Sequence, residues 1–391
     1  MMLLSVLLKK LNNKINKKTF ITLVTSFWDK DFKSLSLFNK LFFSLLVLFE
    51  QFYRLFFFAI KFKKKFLNSK LRSRYKVISV GNLSCGGTGK SVFVSFIIKN
   101  LKYKGSIILR GHLGQNSKKL NSFLVCDDKN IYCDQSFCGD EAFMFAKSLK
   151  IPVVVGRDRR KSANILENKF SSTLDYIVLD DAYQNYGLIK DLEILILDAR
   201  FPFGNGHCLP AGSLREKDLS RADIIIFTHA DFLDERGCDL LYEKIPKRLK
   251  EYTFFGKHSP IKLVNALGDS FLFNSFSDQK FITFAGIGSF SGFLHSLEAS
   301  KLNLLKTIEF EDHHKYSADD FLNIISMHKI LSSDGIITTF KDWVKLDSFI
   351  KNLNLDLKKQ IYFLDIDFEF LNFKQKEKFF SLLERKLFIN F

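Results

Sequence analysis

Beyond residue 76 the chain alternates short, nearly continuous apolar runs with segments of helical length. The runs are "KVISV" (76–80), "SIILR" (106–110), "IPVVV" (151–155), "DYIVLD" (175–180), "LEILILD" (192–198) and "ADIIIFT" (222–228). Apolar runs without polar alternation predict strands covered on both faces, as in a parallel sheet. Between them lie "KSVFVSFIIKNL" (90–101) and "GDEAFMFAKSL" (139–149), long enough for helices. This pattern predicts βα units and an α/β fold. It weakens over 246–278, a mixed segment holding Pro246 and Pro260, and resumes at "FITFAGIG" (281–288), "GIITTF" (335–340) and "IYFLDIDF" (361–368). The expected organisation is a leader over 1–70, a large α/β domain over 71–265 and a smaller α/β domain over 266–391.

The leader breaks the rhythm. "LFFSLLVLFEQFYRLFFFAIKFKKKF" (41–66) is aromatic and apolar, and ends in Lys61, Lys63, Lys64 and Lys65. Residues 1–76 carry +14 of the chain's formal net charge of +17. A nucleic-acid-binding protein would show its basic excess on the folded part, so nucleic acid is not an expected partner. A basic cluster flanking an apolar helix fits an anionic membrane surface. Glu50, Gln51 and Arg54 interrupt the run, which favours a helix lying in the interface over one that spans the bilayer. The six cysteines form no Cys-x-x-Cys pair, so neither a zinc site nor a redox motif is expected. Nothing in the sequence calls for an obligate protein partner.

Candidate chemistry begins at "ISVGNLSCGGTGKS" (78–91). A strand, a Gly-rich turn and Gly-Lys-Ser opening a helix make a phosphate-binding loop, with Ser84 where the first glycine of the usual pattern stands. The predicted fold narrows to a P-loop NTPase-like parallel sheet. Gly86, Gly87, Thr88 and Gly89 are the candidate cradle, since backbone N–H groups and a helix N-terminus favour phosphate oxygens. Lys90 is placed on the β/γ-phosphates and Ser91 on Mg²⁺. The strand "LDYIVLDD" (174–181) ends in two acids, and Asp180 and Asp181 are the candidates to hold Mg²⁺ from the other side. On a continuing strand the two would point to opposite faces and so do different work.

Nine motifs occur in a fixed order: "VGNLSCGGTGKS" (80–91), "RGHLG" (110–114), "GDEAFMFA" (139–146), "LDDAYQNYGLIKDLEILILDA" (179–199), "FGNGHCLPAGSLRE" (203–216), "RADIIIFT" (221–228), "FAGIG" (284–288), "DHHKYS" (312–317) and "TTFKDWVKL" (338–346). In this order the chain resembles the tetraacyldisaccharide 4′-kinase family over about residues 77–346. The resemblance implies ATP-dependent phosphorylation of the 4′-hydroxyl of tetraacyldisaccharide 1-phosphate, the lipid A disaccharide precursor. It implies ATP and Mg²⁺ as cofactors, and work at the cytoplasmic face of the bacterial inner membrane. By the same resemblance Asp140 is the catalytic aspartate with Glu141 beside it, and His313, after Asp312, is its partner. Gln184 follows the paired acids, and Arg215 and Glu216 form the Leu-Arg-Glu motif. His112, Ala182, Asn185 and Phe340 stand where the family usually has Tyr, Gly, His and Glu, and Ser91-Val92 replaces Thr-Pro.

A sugar hydroxyl needs a positioned base as its proton leaves, and an Asp140–His313 dyad assembled by domain closure would supply one while excluding water. Arg215 has two candidate tasks: charge stabilisation on the transferring phosphoryl group, or a two-point contact with the substrate's 1-phosphate. Arg157, Arg159 and Arg160 in "GRDRR" are either substrate contacts or a solvated basic turn. The alternative reading is a membrane-attached P-loop GTPase or ATPase switch, since "FTHADF" (227–232) and "TFKDW" (339–343) echo the guanine-reading Lys-x-Asp pattern.

Overall fold

A computed structural model describes residues 24–28, 36–66, 70–111, 122–171 and 173–389. The first 23 residues, and His112 within "RGHLG", lie outside the described residues. The described chain opens with α1 (Leu37–Phe66), then β1 (Lys76–Asn82), α2 (Lys90–Asn100), β2 (Gly105–Leu109), β3 (Phe123–Cys126), α3 (Asp140–Ser148), β4 (Val153–Val155), α4 (Arg159–Lys169), β5 (Tyr176–Asp180), β6 (Leu192–Asp198) and β7 (Ile224–Thr228). It continues with β8 (Thr253–Asn265), β9 (Ser270–Phe271), β10 (Lys280–Ala285), α5 (Phe290–Ala299), β11 (Asn303–Glu309), α6 (Ala318–Ile330), β12 (Gly335–Thr339), α7 (Phe340–Lys345), β13 (Ile361–Phe370) and α8 (Phe373–Leu387), with further unlabelled helices between, the longest Glu235–Glu243.

The strands form one 13-stranded sheet in the order β11-β10-β12-β13-β8-β7-β6-β1-β5-β2-β4-β3, with β9 paired to β8. The apolar runs read from the sequence are its strands, and β2, β5 and β7 are buried along their whole length. Helices on both faces explain why these strands lack alternation. Apart from the antiparallel β3–β4 pair, the half around β1 is parallel, so its strands end together on one edge, where open α/β sheets bind ligands.

The segment that reads weakly in the sequence contains the strand that joins the two halves. The start of β8 pairs parallel with β7 over Thr253–Phe255, and the rest runs antiparallel to β13. Pro260 sits within it, opposite Ile366, beside a register shift between Asp365 and Ile366. Proline lacks the N–H that a regular ladder requires, and an irregularity is where a sheet tolerates one. Half-buried positions along β8 blur the pattern further.

The chain's last helix returns to the first half of the sheet. Phe379 of α8 is fully buried against Phe93, Phe254 and Phe370, with ring centroids 5.7, 5.6 and 5.2 Å away. Removing a buried aromatic leaves a cavity that such a wall closes only partly. Phe379→Ala is expected to lower unfolding stability by about 3–5 kcal/mol, measured as a reduced urea midpoint at unchanged slope. A loss under about 1 kcal/mol would show that α8 is not part of that core.

Candidate active site

The glycine-rich loop, the candidate phosphate cradle, leaves β1 at Asn82 and enters α2 at Lys90. Gly89 adopts φ 77°, a left-handed conformation that favours glycine. A side chain there would also strike the His258 ring, whose Nε2 lies 2.4 Å from the position of a Cβ. The loop is pinned on both sides: Asn82 Nδ2 donates to Thr88 Oγ1 at 3.1 Å, and Thr228 Oγ1 from the end of β7 donates to the Thr88 carbonyl at 3.0 Å. The turn after β10 closes over it, so near that a Cβ on Gly288 would lie 2.9 Å from the Gly87 nitrogen.

Parallel pairing of β1 with β5 sets Val80 beside Asp180 and brings the paired acids next to this loop. The strand stops at Asp180, and Asp181 turns into the left-handed region at φ 48°. Strand alternation therefore does not govern the pair. The Asp180 carboxylate accepts the Asp181 N–H at 2.9 Å, and Asp181 swings toward Lys90 at 3.7 Å and Arg215 Nη1 at 3.0 Å. Burial, reinforced by nearby Glu141, pushes Asp180 up to about 7. Burial also works to raise Asp181, but the Lys90 and Arg215 cations outweigh it and draw the group down to about 2. The two acids do differ in character, and their surroundings rather than strand geometry cause the difference.

The basic turn at 157–160 resolves into separate parts. Arg159 is buried, and donates from Nη1 to the Gly156 carbonyl at 2.6 Å and from Nη2 to the Asp180 carbonyl at 3.1 Å, so it braces the acid turn from behind. Arg160 pairs with Asp158 at 2.9 Å, and Arg157 is exposed.

Across from the acids, Asp140 is the first residue of α3 and is almost buried. Its Oδ1 accepts from Gln135 Nε2 at 2.5 Å, and its Oδ2 lies 3.3 Å from His313 Nδ1. His313 takes φ 60° and donates its backbone N–H to the Gly286 carbonyl at 3.1 Å, which aims the ring across the seam between the two halves. Burial raises Asp140, yet the His313 contact and the Lys345 charge more than offset it, and the carboxyl sits below its usual range.

These groups surround one cavity of about 570 Å³. Gly86 to Ser91, Glu141, Asp180, Asp181, Gln184, Arg215 and His313 all line it, as do Tyr53 and Phe57 of α1. Asp140 stands just behind His313. Glu216 stays off the wall, accepting from Gln184 Nε2 at 3.0 Å and from Arg221 Nη2 at 2.9 Å. Gln184 also donates to the Asn82 carbonyl at 3.0 Å, which ties the Leu-Arg-Glu segment to the base of the phosphate loop.

Sequence reasoning missed a latch on the β6–β7 side of the loop. Asp198, at the end of β6, contacts His229 Nδ1 at 3.1 Å and Arg200 Nη2 at 2.6 Å, and Arg200 reaches Ser289 Oγ at 2.9 Å in the turn that covers the loop. The available signal was the acid closing "LEILILD", a strand end on the same edge as Asp180. Lys341 was missed as well. It belongs to "TFKDW", whose Asp342 is fully buried and occupied by Thr339, the Gly286 N–H and Lys345, so that segment presents no guanine-reading carboxylate.

The fold is α/β, and the relatives of this chain give its class, an enzyme of phosphoryl transfer. Residues 42–387 match the family described as tetraacyldisaccharide-1-P 4′-kinase. The tetraacyldisaccharide 4′-kinase of Halothermothrix orenii is 30% identical over 312 residues, covering 75% of this chain and 79% of that one. Its counterpart from Desulfatibacillum aliphaticivorans is 34% identical over 324 residues, covering 80% and 83%. The fold is shared with the crystal structure of the "apo" form LpxK from Aquifex aeolicus in complex with ATP, at a TM-score of 0.67 and 24% identity over 89% of this chain and 100% of that one. The chain belongs to the tetraacyldisaccharide-1-P 4′-kinase family and is a lipid kinase.

The raised Asp180 carboxyl makes a stability prediction. Its ordinary value is 3.8 and its folded value about 7, so the folded state holds this proton more tightly than the unfolded state. The stabilising contribution is complete below the ordinary value and is lost as pH rises through the folded one. Asp180→Asn keeps an oxygen for the Asp181 N–H and cannot ionise. In EDTA the variant is expected to be more stable than the wild type by on the order of 2–4 kcal/mol above about pH 7, with the gap closing toward about pH 4. Denaturant melts across that range check it, and a gap independent of pH refutes it.

Proposed function

We propose that this chain transfers the γ-phosphoryl group of ATP to the 4′-hydroxyl of tetraacyldisaccharide 1-phosphate, the lipid A precursor, at the cytoplasmic face of the inner membrane. One observation carries the reading. One cavity is lined by the glycine loop, by Lys90 beside Asp181, by His313 with Asp140 behind it, and by Tyr53 and Phe57 of an apolar helix. A donor site, an acceptor base and a lipid-facing wall are what a kinase of a membrane sugar needs.

Gly86 to Gly89 cradle the ATP phosphates, and Lys90 takes the β/γ oxygens. Ser91, Asp180 and Asp181 are hard oxygen donors that suit Mg²⁺, which is held by one or two carboxylates and otherwise by water and phosphate. When bound, that ion neutralises charge on the phosphate oxygens. Asp140, oriented by His313, accepts the proton of the 4′-hydroxyl. Arg215 already faces Asp181 and the cavity, which supports charge stabilisation on the transferring group over a distant contact with the 1-phosphate. Glu141 and Gln184 line the cavity, and Glu216 supports Gln184 from behind the wall. The β10–β13 half, over 266–391, supplies His313 and the turn over the loop, so closure of the two domains completes the site.

The leader helix is the membrane contact. Among the described residues, Leu37–Lys63 is the one segment long and apolar enough to cross a bilayer. Its midpoint is fastened to the protein body, though. Glu50 is buried, contacts His207 Nδ1 at 2.6 Å and accepts the Cys208 N–H at 2.9 Å, while Tyr53 donates to the Arg215 carbonyl at 3.0 Å and Lys61 pairs with Asp218 at 2.6 Å. Leu41, Leu48, Phe52, Leu55 and Phe56 point away from the body, more than half exposed. A helix held along its length, with an apolar outer face, supports lying in the interface.

Two measurements test the reading. Labelled ATP and Mg²⁺ in detergent micelles should label tetraacyldisaccharide 1-phosphate with wild-type protein, and Lys90→Ala and Asp140→Ala should each lower the rate by about 10²-fold or more. ATP hydrolysis without any labelled lipid would overturn the assignment. Separately, Leu55→Glu with Phe56→Glu should cut partitioning onto anionic vesicles by roughly tenfold or more while the melting temperature holds. Unchanged partitioning would remove this face from the membrane contact.

A further inference from the structure

Lys341 projects from α7 into the cavity, and none of the motif roles assigns it a task. Its Nζ lies 3.3 Å from His313 Nε2, 3.7 Å from Asp312 Oδ1 and 3.9 Å from Glu141 Oε1. The charged groups facing the His313 ring therefore come from three directions: Asp140 and Glu141 from α3, Asp312 from its own loop, and Lys341 from α7. Lys345, one turn further along α7, is engaged with Asp342 at 2.8 Å.

We propose that Lys341 is a positioning residue that fixes His313 in the tautomer with its proton on Nδ1, directed at Asp140. Counting donors and acceptors around the ring fixes the proton. An ammonium only donates and an ionised carboxylate only accepts, while a neutral imidazole offers one of each. Lys341 at hydrogen-bond distance from Nε2 makes that nitrogen the acceptor, since an Nε2–H would face the ammonium donor to donor. The ring proton is left on Nδ1, pointing at Asp140 Oδ2. The opposite tautomer would set the Nδ1 lone pair against the Asp140 carboxylate and leave the Nε2–H only Asp312 Oδ2, 3.9 Å away, to donate to. The Asp312 and Glu141 carboxylates, 3.7 and 3.9 Å from the ammonium, attract it and keep it beside the ring.

The consequence is chemical. In this tautomer Asp140 receives a hydrogen bond from His313 and keeps its other oxygen, already shared with Gln135, for the incoming hydroxyl. His313 carries its proton on the Asp140 side before substrate arrives, so it orients the carboxylate. Its Nε2 lone pair becomes open to a proton only when Lys341 is drawn away.

The inference rests on the kinase reading of the site, and its test separates the two. Full-length protein with ¹⁵N-labelled histidine in detergent is examined by NMR, where the ring nitrogens report the tautomer directly. His313→Gln assigns the signal, and His328, held by Ser333 at 2.7 Å, serves as an internal control for the fold. The wild type and Lys341→Arg should show Nδ1–H at His313, and Lys341→Met should shift it toward Nε2–H, with Asp312 as the new acceptor. Lys341→Met should also lower kcat by roughly tenfold or more at nearly constant KM for ATP, with Arg restoring part of the loss. A wild-type His313 protonated on Nε2 overturns the inference without any variant, and so does a Met variant that keeps Nδ1–H. Lipid left unlabelled by the wild type would sink the kinase reading alone, because the tautomer is read without turnover.

Discussion

The parallel ladder between Lys76–Asn82 and Tyr176–Asp180 is the constraint on which the rest depends. The two segments are about a hundred residues apart, and neither turn does anything useful alone. Paired in register, with Val80 beside Asp180, they place the glycine-rich loop and two carboxylates on one sheet edge a few ångströms apart. The register is enforced by burial. Ile78, Val80, Ile177, Val178 and Leu179 are all sealed from water, and a shift by one residue would turn each of them to the opposite face.

From that edge outward, the site is built by bracing. Arg159 holds the Asp180 carbonyl from behind, Asn82 and Thr228 hold Thr88, and Gln184 ties the Arg215–Glu216 segment to the strand. These contacts are hydrogen bonds between buried groups, which are costly to leave unmade. They keep like charges where electrostatics alone would push them apart. The divergence of Asp180 and Asp181 follows from this: one acid is buried near Glu141, while the other, itself in the left-handed region, turns toward two cations.

What the sequence made legible follows the same physics. Strands buried on both faces are continuous apolar runs, so β1, β5, β6 and β7 could be read with boundaries close to those observed, and the chemistry-bearing residues sat at their ends. The leader was legible because its charge and aromatic content depart so far from the rest of the chain. β8 was not, because a strand that leaves a parallel neighbour for an antiparallel one, admits Pro260 and is only half-buried has no single period to detect. Arg159 and Lys341 were illegible for another reason. A buried bracing arginine and a solvated one look alike in "GRDRR", and Lys341 acquires meaning only when α7 is folded against α3. Contacts between distant segments leave no mark in local pattern.

The seam between the two halves of the sheet shows why those unreadable contacts matter. His313 is pinned to the Gly286 carbonyl by its own backbone, Gly288 abuts Gly87, and Arg200 bridges to Ser289. The turn that covers the phosphate loop is thus the same turn that aims the histidine. A nucleotide pushing on Gly87 would press on Gly288, and through the Gly286–His313 bond on the ring that faces Asp140. Backbone contacts thus connect the surroundings of the carboxylate to the glycine-rich loop. On the proposed reading, a base assembled this way would respond to the state of the donor site. That suits an enzyme whose second substrate is a lipid hydroxyl competing with water for the same phosphoryl group.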